Sequence, residues 1–283
     1  TLTADAATGI DLNTTVATLD ASVTGAGGIT VSETDAINLL DVDTANGAVT
    51  VTAGGQITAT DVASLTDNDA NDITLTGVGI VVGTVTAGAG AAADATLDAQ
   101  AGAITKSGAG LVTADTLTAD AATGIDLNTA VAALDASVTG TGGITINETD
   151  AINLLDVDTA NGAITVTAGG PITATDVASL TDSDANDITL TTTAGGIVAG
   201  IVNAGAAGDA TLNSAGTITD GTGKITADVL TADATGAMTL DTAVATLDAS
   251  VTGAGGMVVV ETDAIDLLDV DTANGAITVT AGG

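Results

Sequence analysis

The string LTADAATGIDLNT begins at Leu2, returns unchanged at Leu117 and comes back as LTADATGAMTLDT at Leu230. Such a long period outweighs what length alone suggests, because a repeated unit buries its apolar face on its neighbours. The 283 residues divide into long repeat one, residues 1–116, long repeat two, 117–229, and a partial third, 230–283, in one continuous array. The last copy stops at Gly283 within TVTAGG, the segment that ends at Gly55 and Gly170 in the others. Both ends are therefore expected to be cuts through a longer array. Copies one and two nearly coincide over residues 2–76, with mild exchanges such as Val31 for Ile146, Val49 for Ile164 and Ser32 for Asn147.

A shorter period lies inside the long one. The triplets Ile10-Asp11-Leu12, Ile29-Thr30-Val31, Val49-Thr50-Val51 and Ile73-Thr74-Leu75 follow one another with a period of about 20 residues, the last interval being the longest. Apolar–polar alternation in Ile, Val and Thr is the pattern of half-buried strands. The strings GAGG, TANG and TAGG between them are turn signals. Further apolar strings at Leu19 to Val23, Leu39 to Val42 and Ile57 to Val62 put two or three strands in each period. The expected fold is all-β: a parallel β-solenoid of about 14 coils of about 20 residues, an elongated rod on the order of 65 Å long at one strand spacing per coil. Gly and Asn are expected at corners of positive φ. Pro171 stands where copy one has Gln56, just before a strand, where a missing N–H is tolerated.

Composition agrees. The chain has no Phe, Trp, Tyr, Cys or His, and its two basic residues are Lys106 and Lys224. With 45% hydrophobic residues it is too apolar for the disordered class, yet without aromatics only a thin aliphatic core can be filled. The net charge of −34 excludes nucleic acid as a partner, since phosphates require Lys and Arg. The uncharged runs 73–93 and 188–208 have the length of a membrane span but are studded with Gly and Thr, so no membrane insertion by this segment is expected. Without His or Cys, nucleophilic triads cannot be assembled, and a sugar-cleaving carboxylate pair would lack aromatic platforms. The chain is read as not an enzyme.

The repeated ANGAITVTAGGPITATDV at residues 160–177, with GAVTVTAGGQITATDV at 47–62, resembles the repeats of filamentous-haemagglutinin-type exoproteins and other large repetitive bacterial β-helical surface adhesins. The resemblance implies a right-handed β-helix, secretion to the surface of a prokaryotic cell, and an attachment or matrix role. The expected function is a structural repeat segment of a secreted or cell-surface fibre, filament or adhesin, a rigid stalk or matrix scaffold. The alternative is a calcium-dependent adhesion or ligand-binding module, ice binding included, since threonines line the outer faces. Expected partners are neighbouring copies or flanking repeats of the same protein, and a host, cell or matrix surface.

Two acidic strings have metal-ligand spacing. DVDTANG supplies Asp41, Asp43 and Asn46, repeated as Asp156, Asp158, Asn161 and as Asp269, Asp271, Asn274. DNDAND supplies Asp67, Asp69, Asn71 and Asp72, repeated as Asp182, Asp184, Asn186 and Asp187. Oxygen donors at alternate positions suit Ca²⁺, the one candidate cofactor. Neither string completes an EF-hand loop, and Asp and Asn are also ordinary turn residues. The lysines occupy non-equivalent places and are read as surface charge alone.

Overall fold

The computed structural model describes residues 1–88, 90 and 92–283, and these form twenty-five β-strands joined in parallel, with no helix. The chain is a parallel β-solenoid, divided into two compact units, Thr1–Gly140 and Thr141–Gly283.

In the first unit one column of stacked residues runs Ile10, Ile29, Val49, Ile73, Ala95, Leu117, Leu134, each paired with the next. Seven levels are thus in residue-on-residue register although the length of chain between successive levels varies. Facing it is a second column, Ile37, Ile57, Ile80, Ile104, Ile125. The second unit repeats the plan. Ile144, Ile164, Ile188, Ala210, Leu230, Leu247 and Leu267 stack on one side, and Ile152, Ile172, Ile197, Ile218, Met238, Met257 and Ile277 on the other. Seven levels in each unit give the expected coil number.

Alternation explains which residues line the bore. Strands such as Ile29–Glu33 and Val49–Ala53 bury every second side chain, and inward Ile, Val, Leu and Ala fill the interior. Each fully buried Ile or Leu contributes ~1.5–3 kcal/mol. The outward residues form columns of their own. Thr30, Thr50, Thr74, Thr96 and Thr118 stand one above another in the first unit, and Thr145, Thr165, Thr189, Thr211 and Thr231 in the second.

Each coil joins a short straight strand to a longer one that bends and so lines two walls, Ile37 and Leu39 on one and Val42 and Thr44 on the next, in keeping with the two or three strands expected. Two of these bends carry a bulge. The strand Thr18–Ala26 pairs Leu19 with Leu39 but Asp20 with Asp41, leaving Leu40 as an extra residue 44% exposed. Leu268 does the same in the second unit, where Leu247 faces Leu267 and Asp248 faces Asp269. A one-residue bulge of this kind turns the strand and unpairs the inserted position. The next bent strand, Ile57–Ser64, turns at Thr60 and Asp61 in unbroken register with Ile37–Asn46, so the bulge formed where LLDVD meets a strand of the preceding level accompanies the bend and is not required for it. Beyond it Thr44 and Ser64 point inward, where their hydroxyls donate to the carbonyls of Gly27 and Gly47, both at 2.9 Å.

The long repeat is not a whole number of coils. The bent strands line two walls, the second carrying Val42, Val62, Val85, Val112 and Thr129, so a coil has three walls and the long repeat does not end on the one where it began. Ile10 belongs to the straight column, whereas its counterpart Ile125 stacks on Ile104 in the bent one. Likewise Ile164 pairs with Ile144 and Ile188, while its counterpart Ile277 pairs with Met257 on the other side. Successive copies thus present the same residues on different walls of the three.

The corners differ from expectation. Positive φ is confined, among the described residues, to eight glycines, and no Asn adopts it. Gly47, after Asn46, is not one of them. It is glycine because a Cβ there would lie 2.2 Å from the carbonyl oxygen of Gly27 on the adjacent coil. Close stacking, more than backbone handedness, selects glycine at such corners. Pro171 keeps the ladder intact from its other side, its carbonyl accepting from the Ile152 N–H at 3.0 Å. The uncharged runs form buried-alternating strands, Ile73–Gly77 with Ile80–Ala87 and Ile188–Thr192 with Ile197–Asn203. Residues 89 and 91 of the first run lie outside the described residues. Among those described, no helix is long and apolar enough to cross a membrane.

Gly47→Ala should destabilise the first unit by about 1–3 kcal/mol through overpacking against the neighbouring carbonyl. Gly108→Ala, at a glycine of φ 61° with open space around it, meets only backbone strain. Denaturant midpoints of the two variants check this, with the larger fall expected for Gly47→Ala.

Candidate functional site

Asp41 and Asp43 project outward from the bent strand Ile37–Asn46, on either side of inward Val42. Asp156 and Asp158 do the same on Ile152–Asn161, and Asp269, Asp271 and Asn274 lie exposed on Asp266–Asn274. The second string occupies the loop after Ile57–Ser64. The two strings, separate in the sequence, meet at one point. The Asn71 Nδ2 donates to Asn46 Oδ1 at 2.8 Å and to the Thr66 carbonyl at 2.9 Å, and Asn71 is only 4% exposed. In the second unit Asn186 Nδ2 donates to Asn161 Oδ1 at 3.0 Å and to the Thr181 carbonyl at 2.8 Å. The Asn46 and Asn161 amide oxygens that a cation would need are already acceptors. The pair pins a loop onto the turn of the preceding coil.

The other members serve the backbone too. Asp72 Oδ1 accepts from the Asp94 N–H at 3.0 Å, and Asp94 Oδ1 in turn from the Thr116 N–H at 3.0 Å. Asp187 and Asp209 repeat this staircase toward Asp209 and Val229, at 3.0 and 3.1 Å. Asp67 Oδ1 accepts from Ala93 N–H at 3.3 Å, and Asp182 Oδ1 from Ala207 N–H at 2.7 Å. Asp69 and Asp184 remain exposed.

Three glutamates, the only ones in the chain, hold one position of the long repeat: Glu33, Glu148 and Glu261. All are buried, at 5%, 5% and 3% exposure. Glu33 Oε2 accepts from Thr14 Oγ1 at 2.5 Å and Val16 N–H at 2.8 Å, while Oε1 accepts from the N–H groups of Thr34 at 2.9 Å and Asp35 at 3.3 Å. Glu261 is bonded in the same way to Thr242, Val244, Thr262 and Asp263. The carboxylate fastens the turn of its own coil to the strand end of the one before. Burial alone would push the Glu33 carboxyl up, but hydrogen bonds from the Thr14 hydroxyl and the three N–H groups outweigh it and hold the group below its ordinary value.

Register stacks other carboxylates on one another. Asp20 faces Asp41, and Asp61 stands on the next level beyond. Burial raises the Asp61 carboxyl above its ordinary value, and repulsion from Asp41 and Asp43 adds to the effect. Asp176 is raised the same way beside Asp156 and Asp158, and Asp233 beside Asp248 and Asp271. These columns, with outward Asp41, Asp43, Asp156 and Asp158, are the places where a cation would lower repulsion. Among the described residues no three acidic side chains converge in the arrangement of a metal site.

The lysines do more than carry charge. Lys106, in the linking region of copy one, pairs with Asp126 at the start of copy two, and Lys224 reaches Asp241 of copy three at 2.9 Å. Both cations bridge junctions between long repeats. Comparison with protein-family models, curated proteins and solved structures finds no match.

Two carboxylates should respond to acid with opposite signs. Glu33 is lowered, so its stabilisation is present above the ordinary value of 4.5 and is lost as pH falls through its folded value. Asp61 is raised above 3.8, so its penalty is present at neutral pH and is relieved as pH falls through that raised value. At pH 7 Glu33→Gln should cost about 1–3 kcal/mol, from hydrogen bonds to a buried charge. Asp61→Asn should gain about 0.2–1 kcal/mol by removing a like-charge cross-strand contact. Denaturation between pH 7 and pH 3 checks this, both differences shrinking toward zero at the acid end.

Proposed function

We propose that the chain is a structural repeat segment of a secreted or cell-surface fibre, filament or adhesin of a prokaryote, working as a stalk or matrix scaffold and not as an enzyme. The carrying observation is where the recurrent polar residues are used. Glu33, Glu261, Asn71, Asn186, Asp72 and Asp94 all bond to the neighbouring coil. Residue types that elsewhere build a reactive cleft here fasten one level to the next. A stalk made this way lengthens by adding levels. Electron microscopy of chains carrying one, two and four added copies of residues 117–229 should show particle length rising in proportion to copy number. Compact particles of slowly growing diameter would overturn the reading.

A second reading, a ligand-binding solenoid, draws on the threonine columns, which space hydroxyls by one strand separation, about 4.8 Å, along one wall of each unit. Its sharpest form is a face that orders water at an ice surface. Ice-growth inhibition by the chain, lost in Thr50→Leu with Thr74→Leu and Thr96→Leu, would favour it; unaltered ice growth with the parent chain removes it.

A further inference from the structure

We propose that the Lys106–Ser107 peptide bond is the point at which the folded chain is open to a trypsin-class protease, and that a cut there leaves the coils of the first unit stacked. Proteases of this class require Lys or Arg on the acyl side of the scissile bond, and the chain offers only Lys106 and Lys224. The fold treats these two bonds differently.

The ladder holds Ile104, Thr105 and Lys106 against Ile80, Val81 and Val82 and is interrupted immediately after the lysine. Lys106 pairs with Val82 and pairing resumes at Leu111 opposite Thr84, so Ser107, Gly108, Ala109 and Gly110 stand against the single residue Gly83. Ser107, Gly108 and Ala109 are exposed. Gly108 has φ 61° and nothing within 4 Å of where a Cβ would be, which places it at the tip of a protruding loop. Exposed tips of small residues are where proteolytic nicking concentrates, because a protease must draw several residues into an extended strand. The Lys106 side chain is 21% exposed and its Asp126 partner 50%, a partly exposed pair that a protease must open to take the cation.

Lys224 is arranged the other way. Its carbonyl accepts from the Val202 N–H at 3.2 Å, and Ile225, on the leaving side of the bond, is 1% exposed. Its Nζ is held by Asp241 at 2.9 Å and by the Thr262 hydroxyl. Cleavage there requires the strand Ile225–Ala234 to leave the sheet.

Hydrolysis adds water across the Lys106–Ser107 bond and releases a new carboxylate and a new amine. Neither fragment loses its ladder, since the strand Ala95–Ala99 before the cut pairs with Leu117 to Ala121 after it, and Ile80 to Val82 pair with Ile104 to Lys106. The cut falls in the linking region between the first two long repeats, so a protease can break covalent continuity at a repeat boundary while stacking persists.

Limited digestion of the full chain with trypsin, followed by intact mass and gel filtration, tests this. The expected result is fragments 1–106 and 107–283 that elute together at the position of the uncut chain, with cleavage at Lys224 slower by about 100-fold or more, since it waits on opening of a strand. Lys106→Gln and Ser107→Pro should both abolish the cut; the second retains the lysine and its partner, so agreement between them separates loss of the site from loss of fold. First cleavage at Lys224, or survival of Lys106 for as long as Lys224, overturns the proposal. Fragments that separate on the column overturn its second half.

Discussion

Everything in this molecule depends on a backbone ladder that stacks each coil on the next in strict register. A slip of one residue would send every inward side chain to the outer face, so the stack tolerates variation only where pairing is suspended. The chain obeys this closely. Coil lengths change, yet Ile29, Val49 and Ile73 stay aligned, because the loop holding Asp67, Asp69 and Asn71 absorbs the difference. Where a residue is added within a strand, as at Leu40, it is extruded as a bulge and the wall bends around it. The same constraint reaches the corners, where adjacent carbonyls approach so closely that Gly47 and Gly162 leave no room for a side chain.

Register also determines what polar residues can do. A side chain on one coil always meets the same neighbour on the next, so a single Glu or Asn per long repeat secures a junction wherever its level falls. A narrow bore of Ile, Val, Leu and Ala supplies the apolar contribution, and net hydrogen-bond gains of about 1 kcal/mol each accumulate along the ladder. The cost of the same geometry is the carboxylate columns. Asp20, Asp41 and Asp61 are stacked on successive levels whatever their charge.

Much of the fold was legible in the sequence. The alternation at Ile29-Thr30-Val31 and Val49-Thr50-Val51 marks strands, and the near-regular spacing of such triplets marks coils. The site was less legible, for a physical reason. Asp41–Asn46 and Asp67–Asp72 read as two independent loops, whereas the interval between them is one coil plus its loop and brings Asn46 to Asn71. The repulsive partner of Asp41 lies a whole coil further on, in Asp61, outside either string. Glu33, Glu148 and Glu261 were visible as the only glutamates in the chain, at equivalent positions. Burial of a lone carboxylate among Thr and backbone N–H groups, however, has no signature in periodicity. The role of Lys106 and Lys224 likewise emerges only when coils are stacked, since their partners are not equivalent in the sequence.

With three walls to a coil, a long repeat ends one wall out of step with where it began. Ile10 lies in the column of Ile29 and Val49, and its counterpart Ile125 lies on the next wall, on Ile104. In the second unit Ile164 and its counterpart Ile277 likewise occupy different walls. A residue fixed by the long repeat is therefore not confined to one face of the stack: each copy hands it to a neighbouring wall, so the same side chain is offered in a new direction at the next repetition.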